Sequence, residues 1–297
     1  MNIKWITPVV TALDENGRLD PDANSSVYEN LILHGMDGLL ILGSIGEFYA
    51  MSLAEKKEII RNAVQTVKHR VPLLVGTNSM VPEECLQLSA YALEQGADGI
   101  TVIPPYYFSL SDEAVIKFYS ALAEQIDGPL YLYNFPDRTG YDVTPQVVYE
   151  LAMEYPNIKG IKDTVPVMEH TRKLIQMVKK QRPDFEVYSG FDEFFAHNAL
   201  SGGNGGISGI SNFAPSLCAG FADAVRRQDI LQIQNYQDKI DLLMEIYSIG
   251  KHFVPIIKQA MAITGLPVTD QCKFPMPRVT EEETEKIRTL LKKAGCL

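Results

Sequence analysis

A lysine ends an apolar run, Asn157-Ile158-Lys159-Gly160-Ile161-Lys162-Asp163, that otherwise reads as a buried strand. Lys162 therefore stands where a strand of an α/β protein opens onto its ligand face. Desolvation favours the free base of an amine, and a free amine attacks a ketone to form a Schiff base. An ordinary solvated lysine at a strand end is the competing reading of the position alone. Other strand ends carry chemistry too. Gly43-Ser44-Ile45-Gly46-Glu47 is a glycine-flanked turn ahead of a helix, whose backbone N–H groups and Ser44 hydroxyl suit a carboxylate; tight βα geometry alone would also call for its glycines. Pro104-Pro105-Tyr106-Tyr107 and Tyr131-Leu132-Tyr133-Asn134-Phe135-Pro136 place phenols at two more strand ends, where they serve either proton relay or packing. Alternation puts Tyr131 and Tyr133 on one face and Leu132 and Asn134 on the other.

The elements that must hold these groups alternate along the chain. Strands are predicted over residues 6–11, 38–42, 72–76, 99–103, 130–134, 158–162, 185–189 and 205–209. Helices are predicted between them, such as 52–68, where Ser52 and Glu55 have capping-box spacing and Ile59, Ile60, Ala63, Val64 and Val67 share a face. Further helices are expected over 82–95, 111–125, 144–153 and 167–179. Eight strands, each leading to a helix, is the count of a (β/α)8 TIM barrel. A doubly wound sheet is the rival, but no strand leads into a G-x-G-x-x-G turn. Beyond about Ala214 the pattern is purely helical (217–227, 230–246, 255–264, 280–294), which predicts a catalytic barrel over 1–226 and a C-terminal helical extension over 227–297 packed on it.

With 297 residues and 46% hydrophobic content the chain can bury a large core. A net charge of −10 argues against nucleic acid or an anionic membrane as partner, so an anionic substrate needs local cations or backbone N–H groups. Cys85, Cys218, Cys272 and Cys296 show no C-x-x-C spacing, and the five histidines no H-E-x-x-H. The expectations are a reducing cytoplasm, no disulfide framework and no metal. No apolar run reaches a membrane span and no targeting signal is visible.

Three segments, G-S-I-G-E at Gly43 to Glu47, Y-N-F-P at Tyr133 to Pro136 and G-I-K-D-T at Gly160 to Thr164, in this order and spacing, resemble the signatures of the dihydrodipicolinate synthase/N-acetylneuraminate lyase family. The likeness runs along essentially the whole chain. It implies a (β/α)8 class I lyase or aldolase that uses a covalent imine and no cofactor, acting on a small 2-oxo acid and an aldehyde, and usually assembled as a homotetramer, a dimer of dimers. Carried over, it makes Lys162 the imine-forming amine and Tyr133 the acid/base phenol. Ser44 matches the hydroxyl linking Tyr133 to a second tyrosine, and Tyr107 matches that second tyrosine, which in the family reaches into a neighbouring subunit's site. The backbone around Ser44, Ile45 and Gly46 would bind the pyruvate carboxylate, and Gly190 and Ile207 match backbone positions lining the same pocket.

Two residues pull the specificity in different directions. Ile45 replaces the family's common hydroxyl residue and keeps only its backbone N–H to offer. Arg138 stands where dihydrodipicolinate synthases bind the carboxylate of the incoming aldehyde, an arginine that sugar-acid aldolases usually lack. Y-N-F-P, G-I-K-D-T and S-N-F-A-P at Ser211 to Pro215 look most like the bacterial 2-keto-3-deoxygluconate aldolase branch. Phe48, Leu53, Lys56 and Met80 replace polar effector ligands of lysine-inhibited synthases, which argues against feedback inhibition by lysine. The expected reaction is thus cleavage of a 2-keto-3-deoxy sugar acid, with condensation of pyruvate and aspartate semialdehyde as the alternative. The glycine run from Ser201 to Ile207 is open to reading as a barrel phosphate loop. No G-x-S-x-G elbow supports a serine hydrolase, and a non-catalytic sugar-acid binder would have no need of an amine–phenol pair.

Overall fold

The computed structural model describes residues 3–297. Eight parallel strands close into a barrel in chain order: β1 (Lys4–Pro8), β2 (Gly38–Ile41), β3 (Leu73–Gly76), β4 (Gly99–Val102), β5 (Leu130–Asn134), β6 (Ile158–Asp163), β7 (Glu186–Ser189) and β8 (Gly205–Ile207). The chain is therefore a (β/α)8 TIM barrel. Around it run α1 (Pro21–Leu33), α2 (Leu53–Val67), α3 (Pro82–Gln95), α4 (Asp112–Ala123), the single turn α5 (Pro136–Thr139), α6 (Pro145–Glu154), α7 (Met168–Leu174), α8 (Phe195–Leu200) and α9 (Pro215–Arg227). Three more helices follow, α10 (Ile230–Leu243), α11 (Phe253–Ile263) and α12 (Glu281–Lys293), with α10 packed along α9 and α11 against the loop after β8. The 226/227 division expected from sequence falls in the last turn of α9.

Local chemistry explains most boundaries. The capping box of α2 forms, the Ser52 backbone N–H donating to Glu55 at 2.8 Å and the Glu55 N–H to the Ser52 hydroxyl, while Ile59, Ile60, Ala63 and Val67 are buried. Proline opens α3, and Gly96 ends it at φ 106°, a left-handed turn that glycine adopts without strain. Two helices escaped the apolar pattern because asparagines sit on their inner faces. Asn24 of α1 brackets the Ala12 backbone with two hydrogen bonds, and Asn198 of the six-residue α8 bonds the Val187 carbonyl, the Ser189 hydroxyl and the Gly205 N–H.

The first strand lies nearer the N-terminus than 6–11. Lys4 enters it because its ammonium pairs with Glu186 at 2.9 Å, and the strand ends at Pro8, after which the Val10 N–H is taken by the Asn212 side chain. The glycine run is also corrected. Ser201 to Asn204 lead into β8 at the barrel end opposite the strand C-termini, where phosphate loops are not built, and Gly205 to Ile207 are β8 itself. Its glycines serve close approach: a Cβ on Gly203 would lie 2.2 Å from the Asn198 amide oxygen.

Inside the barrel Ile6, Leu40, Leu74, Tyr188 and Ile207 form a small core with Tyr131, separate from the large core between strands and helices. Above this layer the interior turns polar.

Candidate active site

Hydrogen-bonded register sets Tyr133 of β5 beside Lys162 of β6, and Lys162 beside Tyr188 of β7. Lys162 is only 5% exposed, and its Nζ lies 4.6 Å from the centroid of the Tyr133 ring. The Tyr133 hydroxyl is 3.3 Å from the Ser44 Oγ, so amine, phenol and hydroxyl form a short chain in one buried space. A cavity of about 240 Å3 covers them, lined by Ser44, Ile45, Tyr133, Lys162, Gly190 and Ile207. It is smaller than the roughly 300–1,000 Å3 of sites for drug-sized ligands, which suits a small metabolite.

The turn from Gly43 to Glu47 brings Ser44 and Ile45 to the cavity. No hydrogen bond within the described chain uses the Ser44 or Ile45 amide, whereas the Gly46 carbonyl accepts from the Thr11 hydroxyl at 2.8 Å. A Cβ on Gly46 would meet the Leu42 nitrogen and the Val9 oxygen at 3.1 Å, so glycine is needed there for close approach. Gly190 is tighter still, its Cβ position lying 2.0 Å from the Thr164 Oγ1. That Thr164 hydroxyl is buried, lines the cavity and has no partner in the chain, leaving it free to bond a ligand.

Arg138 sits on α5 with its guanidinium 5.1 Å from the Phe135 ring and lines both this cavity and an adjoining one of about 500 Å3. The larger space is walled by Phe48, Tyr49, Tyr106, Lys251 and His252 and joins the smaller through Ser44, Arg138 and Phe253. Tyr107 is elsewhere. It is 77% exposed and packs edge-on against the equally exposed Phe108, so a single chain does not bring it to Lys162. Tyr131 shares the inner face with Tyr133 but belongs to the layer below, where its hydroxyl donates to Glu186 at 2.7 Å. It packs and pairs there, away from the relay.

Residues that sequence reasoning passed over complete the wall. Met244, Tyr247 and Phe253 come from the helical region after α9, far in sequence from any barrel motif. Asp192 is buried beside them; burial pushes its carboxyl up to about 7, against hydrogen bonds donated by the Ile210 N–H and the Tyr247 hydroxyl. The D-E pair after Gly190-Phe191 was the available signal for Asp192, but nothing local marks a carboxylate as buried. No cluster of three or more potential metal-ligating residues occurs among the described residues.

Comparison with known proteins agrees with this geometry. The dihydrodipicolinate synthetase family profile matches residues 2–294. YjhH of Escherichia coli (strain K12), named a probable 2-dehydro-3-deoxy-D-pentonate aldolase, is 39% identical over 292 residues, 98% of this chain and 97% of that one. YagE of the same organism, provisionally named a 2-dehydro-3-deoxy-D-gluconate aldolase, is 37% identical over 286 residues, 96% of this chain and 95% of its own. The crystal structure of YagE in complex with pyruvate superposes at a TM-score of 0.96 with 36% identity over 99% of both chains. A 4-hydroxy-tetrahydrodipicolinate synthase of Kosmotoga olearia is 32% identical over 289 residues, 97% of each chain.

Proposed function

Because this chain belongs to the dihydrodipicolinate synthetase family, and is therefore a class I pyruvate-dependent carbon–carbon lyase, we propose that it cleaves a 2-keto-3-deoxy sugar acid reversibly to pyruvate and a hydroxyaldehyde. The observation that carries the reading is the buried Lys162 amine against Tyr133, with Ser44 hydrogen-bonded to the phenol. The names of YjhH and YagE support the sugar-acid substrate, and the small cavity suits one.

In this mechanism the free amine of Lys162 adds to the 2-keto carbon, and the carbinolamine loses water to give a protonated imine. Tyr133, having given its proton to the hydroxyl that leaves the carbinolamine as water, takes the proton of the C4 hydroxyl. The C3–C4 bond then breaks, its electron pair moving into the imine to form an enamine as the aldehyde leaves. Tyr133 returns the proton to C3, and water hydrolyses the imine to release pyruvate and restore the amine. The Ser44 and Ile45 amides bind the substrate carboxylate throughout, and the backbone of Gly46, Gly190 and Ile207 shapes the pocket. Tyr107 is assigned to a neighbouring copy's site, within a homotetramer. Four free thiols suit a reducing cytoplasm, and no helix among the described residues is long and apolar enough to cross a membrane.

Condensation of pyruvate with aspartate semialdehyde is the second reading, favoured by Arg138 at the junction of the two cavities. Borohydride trapping with pyruvate tests the chemistry: a covalent adduct is expected on the peptide holding Lys162 and is absent from Lys162→Ala. Its absence from the wild type would remove the Schiff base and leave a sugar-acid binder. Parallel assays of pyruvate release from 2-keto-3-deoxygluconate and of semialdehyde-dependent pyruvate consumption, in wild type and Arg138→Ala, separate the substrates. Semialdehyde turnover that collapses in Arg138→Ala, beside negligible sugar-acid cleavage, would overturn the preferred substrate.

A further inference from the structure

The turn that presents the Ser44 and Ile45 amides ends in a residue with an unusual set of constraints. Glu47 is fully buried and has φ 58°, left-handed backbone that is uncommon for a non-glycine residue. Its surroundings are a polar clamp from the far end of the chain. One carboxylate oxygen accepts from Lys258 Nζ at 2.6 Å, and the other from the Lys273 backbone N–H at 2.7 Å. Lys258, on α11, is likewise fully buried, and it donates a second bond to the Gln271 carbonyl at 2.7 Å. Both charges are thus out of water, paired and further hydrogen-bonded.

A buried ion pair adds little stability over an apolar pair of the same shape, because desolvation offsets the Coulomb attraction. What it supplies is a fixed geometry, since breaking either half leaves an unpaired buried charge. Here the geometry being fixed is that of the Gly43 to Glu47 turn, whose free amides must converge on an anion. Thr11 holds the Gly46 carbonyl from the β1 side, and the Lys258–Glu47 pair holds the next residue from the helical-region side. Between these two anchors the Ser44 and Ile45 amides have little freedom to turn away.

We propose that Glu47 and Lys258 are positioning residues for pyruvate, a latch by which α11 and the 271–273 segment hold the carboxylate-binding turn in its receptive shape. Neither side chain lines the cavity over Lys162, so neither touches substrate. This rests on the imine chemistry proposed for Lys162 and adds to it a dependence of pyruvate binding on the helical region.

The readout is the pyruvate concentration that half-saturates borohydride trapping on Lys162, measured with the full-length protein. Glu47→Gln keeps the size of the side chain and removes its charge. The double variant Glu47→Gln/Lys258→Met removes both charges together, so that no unpaired charge is left buried if the single variant folds poorly. For both, the half-saturating concentration should rise about tenfold or more while the adduct at saturating pyruvate stays complete. Arg226→Gln, which breaks ion pairs to Asp37 and Asp223 at the end of the barrel opposite the cavity, should lower the melting temperature without moving the half-saturation point. A folded double variant with wild-type half-saturation would overturn the latch, as would an equal shift in Arg226→Gln. No adduct in the wild type would instead overturn the imine reading itself.

Discussion

Tyr133 stands between the Lys162 amine and the Ser44 hydroxyl, and the proposed mechanism has it carry protons to and from the substrate. Tyr133→Phe keeps the ring under the amine but removes the acid/base group. Pyruvate trapping should persist while kcat falls about a hundredfold or more, as measured by steady-state pyruvate release. Near-normal turnover would assign the proton transfer to another group. Asp192 invites a different test, because its carboxyl is pushed up to about 7 by burial. The folded chain holds this proton between the ordinary carboxylate range, near 4, and about 7, whereas the unfolded chain has lost it there. Stability from the neutral acid is thus fully present below pH 4 and is lost as pH rises through 7. Asp192→Asn carries no such proton, so its melting temperature relative to wild type should improve from pH 5 to pH 8. A constant difference across that range would contradict the assignment.

At the scale of elements, the amine and the phenol are aligned because β5 and β6 are stapled just beyond them. Asp163, next to Lys162, accepts from the Asn134 amide at 3.0 Å, the His170 Nδ1–H at 3.0 Å and the Thr171 hydroxyl at 2.5 Å. Asn134 also donates to Asp142, and His170 Nε2 lies 3.1 Å from the Asp142 carboxylate, close enough for an ion pair though off line for a hydrogen bond. Burial opposes the imidazolium, but the two carboxylates outweigh it and push His170 up to about 10. A raised histidine contributes fully below its unfolded value of about 6.5 and ever less as pH climbs towards 10. His170→Gln should therefore cost most stability at pH 6 and markedly less at pH 10, read by denaturant unfolding at both. A cost independent of pH would mean the imidazolium is not the staple.

At the scale of the whole molecule, Tyr107 and Phe108 stand exposed near Met80, whose sulfur accepts from the Tyr106 N–H. Such side chains are costly to leave in water, and the role assigned to Tyr107 by resemblance needs a second chain. Light scattering at micromolar concentration should give a tetramer, or at least a dimer. Tyr107→Ser/Phe108→Ser should lower the assembly state and reduce kcat while Lys162 still traps pyruvate. A fully active monomeric wild type would contradict both the assembly and the role of Tyr107.

Short-range patterns were enough to predict the barrel and to set Lys162 at a strand end. Alternation, capping boxes and glycine or proline punctuation act within a few residues, so α2, α3, β5 and β6 were legible to within a residue or two. G-S-I-G-E, Y-N-F-P and G-I-K-D-T were legible for the same reason, each being one strand end and its turn. Helices whose buried faces carry asparagine were not, because a buried polar residue is recognised only by the partner it finds. Tertiary structure alone decided that Lys4 enters the barrel, that Tyr131 pairs with Glu186 below the site, and that Tyr107 points away from Lys162. It also brought Tyr247 to Asp192 and Lys258 to Glu47 across 55 and 211 residues. Those pairings depend on which surfaces meet when the helical region closes over the barrel, and no local spacing encodes that meeting.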